Sequence, residues 1–489
     1  MKFGIIKDYI NGMWVEQSAI RQMDVFNPST GEIIAKINIT PQSQVEEAID
    51  AASKAFEIWG KTPLSTRVGY LFKLHTELKN RKEDLAQAIA TDQAKHINDA
   101  RGEVDRAIQL TETACGLPMM MQGNKFSITE NVMGEVIKEP VGVVGALSPF
   151  NFPALVFGWF VPFAIGCGNT LVYKASELSP VFMQKIAEIL DDIKLPPGVF
   201  NLINGDGAVG DTLLANPNVH AMAFVGSTKI GSIVADLSAK TGKKSMVLAG
   251  AKNTAIVLDD VNMDGFIDNI INACYGAAGQ RCMATANIAI VESVYEKAKE
   301  RFIEASRNVK IGDACDENVY MGPLISQAAL ERAHYYIDLA ISEGGKLILD
   351  GRNPKMSEKN KGGYFIAPTI IEGVTATMRL AKEEVFALVV ALIKIKNIDE
   401  GIAIINDSIY GNGGTVYTEG GANAHRFVTE TNSGMIGVNI GVPASMPYLP
   451  FGGTKASLLG SQAKAQGRDA VEFFTKNKAI TSRFYGYGK

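Results

Sequence analysis

The thiol of Cys282 lies in the run Gly276-Ala-Ala-Gly-Gln-Arg-Cys-Met-Ala284. A thiol among small residues is open to a substrate, and glycine lets the backbone approach a ligand closely. Arg281 beside it is a cation that favours thiolate over thiol and is also suited to an anionic substrate. A lone cysteine is otherwise a small buried hydrophobe, so the surrounding residues must decide. Asn151, in Pro149-Phe-Asn-Phe-Pro153, sits in a rigid, aromatic-walled turn. Its amide can donate to an oxyanion, or cap its own turn.

Two glycine turns follow strands. Gly205-Asp-Gly-Ala-Val-Gly210 matches a dinucleotide fingerprint, but the next strand ends Phe224-Val225-Gly226-Ser227-Thr228, without the expected acid. Gly226-Ser-Thr-Lys-Ile-Gly231 is also a strand-to-helix turn, whose free amides suit a pyrophosphate. Lys174-Ala-Ser-Glu177 follows a strand at the equivalent edge. Its lysine and glutamate could bind the hydroxyls of an adenosine ribose, favouring NAD over a 2′-phosphorylated cofactor; the alternative is a solvated surface pair. Glu383-Glu384-Val-Phe386 puts a carboxylate and an aromatic near the start of a strand, or at a solvated helix end.

The elements that must position these residues alternate. Residues 43–59 have helical periodicity, and 65–113 read as two further helices. From Val141 onward strands and helices succeed one another with short loops. The strands are Val141–Leu147, Asn169–Lys174, Val199–Ile203 and Ala221–Val225; the helices are Pro180–Ile193, Val209–Ala215 and Ser227–Thr241. A second alternating block follows Ala251, and Val471–Ser482 reads as an exposed strand able to pair with another subunit. Such alternation argues a doubly wound α/β sheet.

The chain has 489 residues, 46% hydrophobic and 20% charged, with net charge −4. Its length calls for two or three domains. The near-balance of 48 basic and 52 acidic residues, without charged blocks, argues against nucleic acid as a partner. The five cysteines have no CxxC spacing, which fits neither a disulfide framework nor a zinc site, so no metal is expected and a reducing cytoplasm is the default compartment. A charge comes too early for a signal peptide. Pro140–Tyr173 has no charge but four prolines, so it reads as buried strand, helix and strand rather than a membrane span.

In chain order, Asn27-Pro-Ser-Thr-Gly-Glu32, Pro149–Pro153, Lys174–Glu177, Gly226–Thr228, Gly279–Cys282, Glu383–Phe386 and Pro450-Phe-Gly-Gly453 resemble the motifs of the aldehyde dehydrogenase superfamily, nearly end to end. The resemblance implies an α/β fold with a Rossmann-like NAD-binding domain (1–122 and 141–250), an α/β catalytic domain (251–460) and a small β oligomerisation element (123–140 and 461–489). It further implies a homodimer or homotetramer. Carried over, Cys282 would attack an aldehyde, and Asn151 with the Cys282 amide would hold the oxyanion. Ser148, Phe150, Lys174, Glu177, Gly226, Ser227, Glu384 and Phe386 would line the NAD site.

Hydrolytic members carry Glu-Leu-Gly-Gly-Lys, whose glutamate activates water. Here the run is Leu248-Ala-Gly-Ala-Lys252. An aliphatic side chain accepts no proton, whereas thiolysis by coenzyme A needs no such base. The chain therefore resembles the CoA-acylating branch that includes methylmalonate-semialdehyde dehydrogenase, in which Arg106 and Arg281 would bind the substrate carboxylate. Arg106 could instead make a helix-surface ion pair. Thr285-Ala286 and Ala387-Leu388 depart from that branch's Leu-Ser and the superfamily's Gly-Pro. The alternatives are a non-acylating enzyme using Glu383 or Glu384 as base, and a dinucleotide-binding homologue of little activity.

Overall fold

The computed structural model describes residues 1–15, 21–443 and 446–485. Five segments with short loops build a parallel sheet at the centre of the first unit: Lys244–Leu248, Ala221–Val225, Val143–Leu147, Thr170–Lys174 and Phe200–Ile203, in that spatial order. Asp8–Ile10 and Met13–Val15 extend one edge, and Leu458–Gly460 closes the other. Val143–Leu147 and Thr170–Lys174 are buried at every position, as strands covered by helices on both faces must be.

The uncharged segment folds as expected. Helix Pro153–Cys167 joins these two strands and is buried at nearly every residue. Pro153 opens it, where the missing N–H costs nothing, and left-handed Gly168 ends it. Its Phe157, Phe160 and Phe163 are fully buried, and truncating one to alanine should cost about 3–5 kcal/mol. Among the described residues no helix is long and apolar enough to cross a membrane.

The second sheet has seven strands in the order Lys346–Leu349, Thr369–Glu372, Val389–Ile395, Thr285–Val291, Asn253–Val257, Gly413–Tyr417 and Met435–Val438. All but the first run parallel to their neighbours. A third sheet joins Thr475–Arg483 to Val132–Pro140 and then to Asn124–Thr129, all antiparallel. Segments more than three hundred residues apart thus come together, and Thr475–Arg483 is left at the edge.

Four expectations need correction. The stretch 65–113 holds parts of three helices, Leu64–Asn80, Lys82–Asp92 and Ile97–Cys115, because the chain breaks at Arg81 as well as at left-handed Ala94. The N-terminal strands, including the sheet of Gly4–Ile6, Glu32–Asn38 and Gln22–Asn27, were not anticipated; most are too short, and their burial too irregular, to show a clear alternation. The tail is helix from Gly467 to Phe474 and strand only from Thr475. That helix puts buried aromatics on one side, and Trp159 Nε1 donates to Gln466 at its start, 3.0 Å away. Residues 458–474 therefore return to the first unit, which the sequence-drawn boundaries at 460 and 461 did not foresee.

Candidate functional site

The carboxyl ends of adjacent parallel strands form a crevice, the usual ligand position in an open α/β sheet. Ser148 follows Val143–Leu147, and its N–H donates to the Lys174 carbonyl at 3.2 Å. Lys174 ends the neighbouring strand. It is buried, and its ammonium donates to Glu177 at 2.9 Å and to the Ala175 carbonyl at 3.1 Å, so it is not a solvated surface group. Gly226 and Ser227 follow the strand on the other side.

The two glycine turns differ in what their amides do. At Gly205–Gly210, Asp206 caps helix Gly207–Ala215 by accepting from Ala208 N–H, and it also pairs with Arg21. At Gly226–Gly231, among the described residues, the N-cap Ser227 makes no side-chain cap to helix Thr228–Lys240. Its first amides remain available to an anion, and a pyrophosphate fits there.

Glu384 reaches this crevice from the second unit. Its Oε1 accepts from Ala251 N–H at 3.0 Å. Gly250 lies beneath it: a Cβ there would stand 2.9 Å from Glu384 Oε2 and 2.7 Å from Thr228 Oγ1. A Cβ there would push the Thr228 or Glu384 side chain aside. Phe386 adopts a left-handed φ of 64°, a strained choice for a bulky residue, and packs edge-on against Phe150 with centroids 6.1 Å apart. The two aromatics drawn from separate motifs thus form one wall. Glu384 is not the solvated helix end that was the alternative.

Cys282 lies between two cavities. One is lined by Lys252, Thr285, Glu384 and Phe386. The other, about 360 Å³, is lined by Asn151, Arg106 and Arg281, with Lys95, Asp99 and Glu103. Ala277 and Ala278 are left-handed (φ 50° and 56°), which tightens the turn that carries the thiol. The Cys282 carbonyl accepts from Asn253 Nδ2 and Asn412 Nδ2, each at 2.8 Å. Asn151 does not cap its own turn; its Nδ2 donates across to the Gln280 carbonyl at 2.9 Å.

Arg281 does not activate the thiol as expected. Its guanidinium donates to Asp99 at 3.3 Å and to Asn272 at 3.0 Å, and Gly276 packs so close that a Cβ there would collide with it. Burial is the larger influence on Cys282, followed by the Glu384 charge, and together they push its thiol up to about 12. Burial likewise pushes Glu384 up to about 7. Arg106 makes no ion pair among the described residues; it donates to Gln109 and Met446 Sδ. It is the cation on this wall left for an anionic ligand.

Several site residues were not singled out from sequence. Asp99 and Glu103 share one face of helix Ile97–Cys115 with the anticipated Arg106, spaced i, i+4 and i+7, a pattern that was legible as a charged stripe. Lys95 sits in a helix break and carried no such signal. Lys252 is buried with its amine unpartnered, and burial draws its pKa down to about 7.

Residues 14–480 match the model of the aldehyde dehydrogenase family. The chain belongs to the aldehyde dehydrogenase family. It is 40% identical over 480 residues to a malonate-semialdehyde dehydrogenase of Halalkalibacterium halodurans, covering 98% of each chain. A crystal structure of methylmalonate-semialdehyde dehydrogenase from Oceanimonas doudoroffii superposes with a TM-score of 0.96 at 35% identity, covering 98% of both chains. A Sinorhizobium meliloti 1021 protein solved with NAD gives the same TM-score at 32% identity and the same coverage. As an aldehyde dehydrogenase the chain is an oxidoreductase, and the expected fold is the one observed.

Proposed function

We propose that this aldehyde dehydrogenase oxidises a short aldehyde bearing a carboxylate, malonate or methylmalonate semialdehyde, with NAD as oxidant. Coenzyme A, not water, takes the acyl group. Leu248 carries the reading. It ends a strand of the first sheet, is 4% exposed, and pairs with Val225, which lines the thiol cavity. A buried aliphatic there offers no proton acceptor for water. The names of the relatives at 40% identity support the same substrate class.

The Cys282 thiol releases its proton to solvent as its sulfur adds to the aldehyde carbonyl. Asn151 Nδ2 and the Cys282 amide donate to the resulting alkoxide, whose stabilisation is usually the largest catalytic contribution. Ser148, Phe150, Lys174, Glu177, Gly226, Ser227, Glu384 and Phe386 would hold NAD, which accepts the hydride when bound. The thioester left on Cys282 is then attacked by the CoA thiol, which returns the enzyme's thiol. Arg106 would hold the substrate carboxylate until carbon dioxide is lost, before or after thiolysis, with Arg281, already paired to Asp99, as a secondary contact. Residues 1–122 and 141–250 would form the coenzyme domain, with 458–474 packed on it, and 251–457 the catalytic domain. The edge strand Thr475–Arg483 would complete a cytoplasmic homodimer or homotetramer.

Hydrolysis is the second reading, and Glu384 is its base. Glu383 is unsuited, because Arg379 and then Tyr336 hold its carboxyl below the ordinary range. Glu384, raised to about 7 beside the thiol, is poised to accept a proton. NADH formation from malonate semialdehyde, with and without CoA, separates the two. Strict CoA dependence, with a burst of about one NADH per site without it, supports thiolysis. Steady turnover without CoA, abolished by Glu384→Gln, establishes hydrolysis instead.

A further inference from the structure

Helix Ile97–Cys115 sends Glu103 inward, where it is almost completely buried. Glu103 Oε1 accepts from Ala154 N–H at 2.7 Å and Leu155 N–H at 3.0 Å, the first free amides of helix Pro153–Cys167. A carboxylate at that end complements the helix dipole. Glu103 Oε2 pairs with Lys95, equally buried. The Lys95 ammonium in turn donates to the Asn151 carbonyl at 2.6 Å and lies 3.6 Å from the centre of the Phe152 ring.

Two features set this pair apart from an ordinary surface bridge. Burial draws the Lys95 pKa down, and the neighbouring Glu103 carboxylate opposes that shift. The backbone also spends strain to aim Lys95: Ala94 is left-handed at φ 56°, and its carbonyl packs on Gly322 so closely that a Cβ there would lie 2.2 Å away. The pair also lines the cavity that holds Cys282 and Asn151.

We infer that Lys95 and Glu103 are positioning residues that lock the turn Phe150-Asn151-Phe152 so that Asn151 Nδ2 faces the developing oxyanion. Lys95 grips the Asn151 main chain, while Gln280, itself held by Ile325 N–H through Oε1, receives one amide hydrogen of its side chain. Asn151 is thereby fixed from both ends. No other cation among the described residues reaches that carbonyl.

The inference rests on Asn151 being the oxyanion donor, and a double-mutant cycle tests both ideas separately. Asn151→Ala alone must lower kcat; if it does not, the donor assignment fails first. Given that loss, Lys95→Met should lower kcat by about 10–100-fold with KM for aldehyde and for NAD changed less than about threefold. In the Asn151→Ala background the same substitution should cost less than about threefold. A full, additive loss in that background, or a rise in KM without loss of kcat, overturns the inference. The Lys95→Met/Glu103→Met double variant, which leaves no unpaired buried charge, serves if the single variant fails to fold. It must show the same dependence on Asn151, and alkylation of Cys282 by iodoacetamide should keep its wild-type rate in both.

Discussion

The two walls that meet at Cys282 are built on different principles. The wall proposed to hold NAD is made of strand ends and turns: Ser148 and Gly226 follow neighbouring strands and Lys174 ends another, and their placement comes from the sheet order itself. The opposite wall is made of side chains reaching from one helix, with Asp99 tied to Arg281, Glu103 tied to Lys95, and Arg106 left free of ion pairs among the described residues. Backbone walls distribute their function over many amides. A side-chain wall concentrates it in single groups, so single substitutions there should hurt most.

The largest effect should come at their junction. Asn151→Ala should lower kcat by about 10²–10³, the usual loss of one oxyanion donor, while NAD affinity stays near wild type. Stopped-flow NADH bursts would check it. If kcat holds, the oxyanion is stabilised by the Cys282 amide and other groups.

Next is Arg106→Leu. It should cost about 10–100-fold in kcat/KM for malonate semialdehyde and much less for propanal, which has no carboxylate. Equal losses on both aldehydes would make Arg106 a structural residue and blur the contrast between the walls.

The smallest effect of a substitution, that of Glu384→Gln, concerns protons. With Cys282 raised to about 12, the ligand-free thiol stays protonated at pH 7. Its alkylation rate should therefore climb by about tenfold per pH unit from 7 to 10 without a plateau, because thiolate is the reactive form. Glu384 raises the thiol's pKa through its negative charge, so Glu384→Gln should accelerate alkylation, most visibly above pH 7, where the native carboxylate is ionised. A plateau below pH 8 in the native enzyme would mean another cation activates the thiol. Cys282→Ala provides the background from Cys115 and Cys315.

Much of the first unit was legible because strands buried on both faces leave unbroken apolar runs. Val143–Leu147, Thr170–Lys174 and Ala221–Val225 lie within a residue or two of their sequence bounds. The N-terminal strands were missed because segments of three residues carry little period. The break at Ala94 was missed because alanine favours helix, whereas here its carbonyl packs closely on Gly322 and its φ is left-handed. Which glycine turn has free amides was also hidden: both follow a strand, and the difference is that Asp206 caps one of them.

Sequence by itself determined the chemistry available: a thiol among small residues, an amide in a rigid turn, an aliphatic residue in place of a base, and the alternation that yields an α/β sheet. Those depend on residue type and local spacing. Tertiary structure alone decided the electrostatics. Arg281 stands next to Cys282 in the chain, yet its charge is held by Asp99, nearly two hundred residues away, while Glu384 from another strand entry bears on the thiol. Charges act through space and through desolvation, and neither distance nor burial is written in neighbouring letters.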